Sequence, residues 1–292
     1  MNKILYFAAR PFIELIIHLP FSVIYRLSDL LKFILQHIVQ YRKEIVFSNL
    51  KKSFPQLSDT EIGKINDAFY EWFTDLIVET LKSFSMKESD FVQRVSIKNI
   101  ELLNKTIKEN SRIIYLSSHS GNWEWSWQSI QLQCPGNLQV IYYPLKNEYF
   151  NNYLMILRKR FGVNFIEAKY VFDHFKNEST KDKEIILFGN DQSANPKYAF
   201  ETFFLNQKTI VNTGAETLAK KYNIPVLCGF VRKIRRGYYE IEVRKIEFDY
   251  SSSDFLLTEK YSQLLEEFIQ SQPFNWLWSH RRWKIKNVKT MK

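Results

Sequence analysis

The sequence predicts an α/β fold: a mostly parallel central sheet covered by helices, with a helical N-terminal membrane anchor before it. From residue 112 onward, short apolar runs alternate with stretches of helical periodicity. Strands separated by helices of ten or more residues pack as a parallel sheet. Before residue 112 the chain reads as helix, beginning with a long apolar segment. The composition, 45% hydrophobic and 16% aromatic with 8 Gly and 8 Pro among 292 residues, excludes disorder and a loop-rich scaffold.

Residues 1–40 are expected to form the anchor and residues 41–292 the main domain. "LIIHLPFSVIY", Leu15 to Tyr25, is uncharged and lies between Glu14 and Arg26. Its eleven residues are short for a span and typical of an interfacial or buried helix. A spanning helix would have to bury Arg26 or Asp29 at roughly 2.5–3.5 kcal/mol each. The reading is therefore a monotopic anchor, with a tilted single span or an ordinary core helix as the alternatives. No small-residue cleavage pattern follows the apolar run, so no cleavable signal peptide is expected.

Next, Ser58 followed by Glu61 makes a capping box. The recurrence of Ile62, Ile65, Phe69, Trp72, Phe73 and Leu76 continues it as a long amphipathic helix. "IIYLSS", "LQVIYYP", "EIILFG" and "PVLCGFV" then read as buried strands, with helices near 147–160, 169–178 and 212–223. "VRKIRRGYYEIEVRKIEF" is a hairpin turning at Arg236-Gly237, and "FLLTEKYSQLLEEFIQSQ" a terminal helix.

Forty-one Lys and Arg against 31 Asp and Glu leave a net charge of +10. Such a surface favours an anionic partner: nucleic acid, acidic lipid or an acidic carrier protein. Cys134 and Cys228 are too few for a disulfide framework and lack metal-ligand spacing, so a reducing compartment and no metal or cofactor are expected.

The chemistry concentrates in "YLSSHSGNWEWSWQ", Tyr115 to Gln128. His119 follows a predicted core strand, where α/β sheets carry their functional loops. Glu124 falls inside the next helix, placed to turn back and orient the imidazole as a general base. Gly121 permits a sharp turn, and Asn122 with the amides at a helix start can bind an anion or oxyanion. A surface histidine beside a helix cap is the alternative.

"HSGNWE" closely resembles the H-x4-D/E block of the bacterial lipid A late acyltransferases, the lauroyl and myristoyl transferase family. In the same order, "YYPLKN" is similar to the family's "YRPLKN", "LRKRFG" to its Arg-rich helix end and "NDQS" to its acidic-Gln turn. "FFLNQKTIVNTGAETLAKKYNIPVLCGFVRK" resembles the family's Phe-rich strand, Thr-Gly helix and following strand, and "WLWSHRRWK" its C-terminal signature. The resemblance covers nearly the whole chain. It implies a glycerolipid acyltransferase-like α/β sandwich at the cytoplasmic face of a bacterial inner membrane. It further implies acyl carrier protein thioesters as donor, a lipid A precursor as acceptor, and direct transfer without an acyl-enzyme.

Carried over by position, His119 and Glu124 are the catalytic pair, with Asn122, Lys146, Arg158, Asp191 and Gln192 binding substrate or organising the site. On the residues alone, Arg158 can equally end its helix and Asp191-Gln192 can equally be a turn. Tyr143 stands where family members often place arginine, and Lys146 replaces it only as a point charge. This departure bears on the acceptor, for which a phospholipid, aminolipid or other glycolipid is the alternative. The basic tail "NWLWSHRRWKIKNVKTMK" suits either stacked single-stranded nucleic acid or a lipid headgroup interface. Beside an apolar N-terminus the membrane reading is preferred and nucleic acid is not expected as a partner.

Overall fold

The computed structural model describes residues 2–176, 182–194 and 199–283. The N-terminal segment is two helices, α1 (Asn2–His18) and α2 (Phe21–Phe33), continued by a π-helical turn, Ile34–Ile38. Helices α3 (Lys43–Ser53) and α4 (Asp59–Lys82) follow. Ser58 caps α4 through the expected capping box: its hydroxyl accepts from the Glu61 amide and the Glu61 carboxylate accepts from the Ser58 amide. The uncharged run from Leu15 to Tyr25 is split, since α1 stops at His18 and Pro20 precedes α2. Proline ends the preceding helix and starts the next. Among the described residues no helix is long and apolar enough to cross a membrane, so the tilted single span has no helix to use.

The central sheet has seven strands in the order β1-β9-β8-β2-β5-β3-β4. They are β1 (Val95–Lys98), β2 (Arg112–Ser117), β3 (Asn137–Tyr142), β4 (Asn164–Glu167), β5 (Glu184–Gly189), β8 (Val226–Arg235) and β9 (Tyr238–Lys245). All neighbours are parallel except β8 and β9, which form the hairpin expected at Arg236-Gly237. Helix α5 (Glu88–Arg94) leads into β1, and between the strands run α6 (Ile100–Glu109), α7 (Trp123–Gln133), α8 (Glu148–Arg158), α9 (Val171–Lys176) and α10 (Gly214–Tyr222), with α11 (Leu256–Ser271) after the hairpin. Residues 169–170 of the expected helix 169–178 belong to a 3-10 turn, and 177–178 lie outside the described residues.

Both faces of the sheet are covered, which explains why its central strands read as unbroken apolar runs. Alternate residues of β2 point to opposite sides. Ile114 and Leu116 join a core with α3, α4, α10 and α11. Ile113 and Tyr115 join another with α5, α6 and α7. The Phe-rich segment resolves into a separate hairpin, β6 (Ala199–Phe204) and β7 (Gln207–Asn212). It turns on Leu205 and Asn206, both at positive φ, as a tight hairpin requires.

Candidate active site

Strands β2 and β5 are adjacent and in register, with Ser117 opposite Gly189. The loops leaving their carboxyl ends therefore start side by side, and they carry His119 and Asp191. His119 Nδ1 lies 2.7 Å from Asp191 Oδ1, and the His119 amide donates to Oδ2 at 2.8 Å. The same Oδ2 accepts from Trp276 Nε1 at 2.8 Å, and Arg282 donates to the Asp191 carbonyl at 2.6 Å. Gly189 makes room for the ring: a Cβ there would stand 3.2 Å from His119 Cε1.

This geometry corrects the pairing expected from the spacing. The side chain that fixes the imidazole is Asp191, from a neighbouring strand, because α7 carries Glu124 toward α8 instead. There Arg158 grips Glu124 with a two-pronged fork, Nε to Oε2 at 3.0 Å and Nη2 to Oε1 at 2.5 Å. Bidentate pairs of this kind are the strong ones. The Arg158 guanidinium also sits over the Trp127 ring, 5.4 Å from its centroid. Arg158 is the last residue of α8, as a helix-ending role predicts, yet its side chain is committed to Glu124.

Burial works against a charged His119, but Asp191 outweighs it and, with a smaller push from Glu124, holds the imidazole above its ordinary pKa. Burial likewise opposes the Asp191 carboxylate, and His119 overcomes this to bring it down to about 2. Carboxylate and ring thus stabilise each other's charged forms. With Nδ1–H facing Asp191, Nε2 keeps its lone pair, and Gln192 Nε2 stands 3.2 Å from it. Trp123 packs edge-on against the ring at 5.1 Å between centroids.

Asn122 is fully buried and caps α7: its Oδ1 accepts from the Trp125 amide at 3.0 Å and its Nδ2 donates to Glu79 at 2.8 Å. Both polar atoms are committed inside the protein, so the expected contact with substrate gives way to a structural one. Lys146 is exposed on the loop between β3 and α8, outside the hydrogen-bonded group around His119. Cys134 and Cys228 are buried, and burial pushes both thiols up to about 12.

The C-terminal segment is the part whose role the sequence hid. Trp276 and Trp278 are buried and Arg282 is 2% exposed, so this stretch is core rather than headgroup interface. Residues 284–292 of the basic tail lie outside the described residues. Ser120 and Trp276 form an antiparallel bridge, the Leu277 amide donates to the His119 carbonyl, and Gly121 donates to Asn275. Gly121 has φ +53, and a Cβ there would meet Val231 at 2.5 Å. The match of "WLWSHRRWK" to a family signature was the one available signal for this clamp.

An apolar cavity of about 420 Å³ opens beside Glu124. Phe73, Leu76, Ile77 and Leu81 of α4 form one wall, Trp123 and Leu277 another, with Arg42 and His280 also on its lining. Its size falls within the usual range for small-molecule sites. Among the described residues no group of three or more His, Cys, Asp or Glu is arranged to hold a metal ion.

The model of the bacterial lipid A biosynthesis acyltransferase family matches residues 2–285. The lipid A biosynthesis lauroyltransferase of Escherichia coli (strain K12) is 23% identical over 276 residues, 93% of this chain and 89% of the relative. The palmitoleoyltransferase of the same strain is 21% identical over 279 residues, 93% of this chain and 88% of its own length. A lipid A biosynthesis acyltransferase of Shigella flexneri matches to the same extent, 21% over 279 residues.

Proposed function

The chain belongs to the bacterial lipid A biosynthesis acyltransferase family, and from that premise we propose a direct acyl transfer with His119 as general base. The donor is an acyl carrier protein thioester and the acceptor a hydroxyl of a lipid A precursor. The observation that carries the mechanism is the buried Asp191 hydrogen-bonded to His119 Nδ1, which leaves Nε2 as the basic atom.

The acceptor hydroxyl takes the position of the Gln192 amide beside Nε2 and gives up its proton as its oxygen bonds to the thioester carbonyl carbon. The carbonyl electrons move to oxygen, and the resulting oxyanion needs a preorganised positive field. Arg158, fixed by Glu124, supplies a cation close enough to influence His119. When the oxyanion collapses, the carbon–sulfur bond breaks and the imidazolium returns its proton to the departing thiolate. No enzyme nucleophile enters, in keeping with two buried thiols whose pKa values lie far above neutrality. The acyl chain lies in the apolar cavity along α4.

Residues 1–40 are the membrane-facing unit and residues 41–292 the catalytic one. Phe12 and Leu15 on α1 and Ile156 on α8 are more than 60% exposed, as are Ile38 of the π-helical turn and Tyr143 of the loop before α8. Helix α1 packs beside α8, with the Phe7 and Tyr149 rings 6.3 Å apart. Exposed apolar side chains on a basic protein favour seating on an anionic lipid surface without crossing it, here the cytoplasmic face of the inner membrane.

The test is transfer of a labelled acyl chain from acyl carrier protein to a Kdo-bearing tetra-acyl disaccharide by the purified chain. Expected is a product one acyl group heavier, with no product from His119→Ala. Tyr143, 79% exposed at the position where the family resemblance leads one to expect arginine, favours a second reading in which a phospholipid, aminolipid or other glycolipid accepts. Transfer to one of those and to no lipid A precursor would decide for it.

A further inference from the structure

Glu79 is a buried carboxylate that the transfer mechanism does not use. It lies on α4, fully buried, at a position where a leucine would be cheaper to fold. Donors from three separate elements converge on it. Asn122 Nδ2 reaches Oε2 at 2.8 Å, the Tyr239 hydroxyl of β9 reaches the same oxygen at 2.7 Å, and the Tyr25 hydroxyl of α2 reaches Oε1 at 2.9 Å. The Glu79 carbonyl also accepts from Trp125 Nε1 at 3.1 Å. Burial pushes the Glu79 carboxyl up to about 7, with the Tyr239 hydrogen bond opposing it.

Asn122 lies three residues after His119 and two before Glu124, at the N-cap where the base-bearing loop becomes α7. Its position therefore sets both halves of the site at once. Tyr25 brings the N-terminal segment into the same group. One helical turn away, Ser28 of α2 donates to Asp75 at 2.8 Å, and Arg236 bridges Asp75 to Asp29 with a 2.6 Å contact to each. Helix α2 is thus fastened to α4 through polar side chains, while Leu30 and Phe33 stay more than half exposed.

We propose that Glu79 is a positioning residue for His119 and Glu124, acting through Asn122, and that Tyr25 makes the N-terminal helix α2 part of the active-site support. This rests on the acyl-transfer reading for its kinetic consequence but not for its geometry. In the full chain, Glu79→Gln is expected to lower kcat by roughly ten- to a hundredfold, the scale of an ångström-sized misplacement. The donor KM should stay within about threefold and Tyr25→Phe should show a smaller loss of the same kind.

Because Glu79 acts through Asn122, adding Glu79→Gln to Asn122→Ala should cost less than about twofold more, the non-additivity of coupled residues. A Glu79→Gln kcat within twofold of the parent, or effects that multiply in full, would overturn the proposal. Should Glu79→Gln fail to fold, the cycle between Tyr25→Phe and Asn122→Ala replaces it with the same criteria. The imidazole nitrogen resonances of His119, assigned by loss in His119→Gln, give a readout independent of turnover. They should move in Tyr25→Phe and Glu79→Gln, and unmoved signals would refute the positioning role whether or not acyl transfer is found.

Discussion

Asp191→Asn separates the two carboxylates that compete for the role of orienting His119. In the parent, both Asp191 oxygens accept: Oδ1 faces His119 Nδ1, and Oδ2 takes the His119 amide and Trp276 Nε1. An asparagine keeps one acceptor oxygen for the two donors on that side and turns its NH2 toward Nδ1. The ring must then accept at Nδ1 and carry its proton on Nε2, which is the wrong tautomer for a base. Removing the carboxylate behind a catalytic histidine costs about 10⁴-fold in kcat in the best-studied case, and a fall of about 10³- to 10⁴-fold is expected here.

Stability falls as well. The carboxyl at about 2 instead of 3.8 corresponds to roughly 2 kcal/mol. A depressed carboxyl contributes above its unfolded value, so this stabilisation is present above pH 3.8 and is lost as pH falls toward 2. The acid limb of the parent's kcat/KM profile reports His119, held above its ordinary pKa by Asp191. The residual activity of Asp191→Asn should therefore show that limb displaced to lower pH. Acyl transfer measured from pH 5 to 9, beside acid unfolding followed by circular dichroism, tests both. A variant within tenfold of the parent, or an unmoved limb, would refute Asp191 as the orienting group.

Glu124→Gln leaves the Arg158 guanidinium without its carboxylate at a site only 15% exposed, and should destabilise by roughly 3–5 kcal/mol in denaturant unfolding as well as reduce turnover. Gly121→Ala strains a backbone at φ +53 and drives a methyl into Val231, so a loss of at least roughly 1–3 kcal/mol and of activity is expected. Ile77→Trp fills the cavity beside Glu124 and should shift donor preference toward shorter acyl chains in competition assays, with unfolding little changed. Replacing Cys134 and Cys228 together by Ala should keep kcat within a few-fold, and the parent's thiols should resist alkylation at neutral pH because burial holds both near 12.

The central strands were legible because sheets buried on both faces demand continuous apolar runs. The capping box of α4 was legible because Ser58 and Glu61 interact locally. Short edge strands such as β4, only four residues and partly exposed, carry no such signature. His119 could be placed from its position after β2; Asp191 entered the site only through the family resemblance, and not as the partner of His119. Glu124 is five residues away along the chain, whereas Asp191 is 72 away and reaches His119 only because β5 pairs with β2. Sequence spacing reports neighbours along one element, and this site is assembled from two. The same reason hid Glu79 and Trp276, whose ordinary-looking positions in a helix and a tail acquire meaning only from what crosses over them.

The antiparallel bridge between Ser120 and Trp276 also bears on the order in which the site is completed during synthesis. Residues separated by more than 150 positions must meet before the His119 loop is held. Synthesis proceeds from the N-terminus, so the sheet, His119 and Asp191 are all made before the segment that binds them. A nascent chain arrested at about residue 270 would carry every group named in the chemistry and still lack Trp276 and Arg282 on Asp191. The contacts that complete the surroundings of His119 and Asp191 thus come from the last stretch of the described residues to be made.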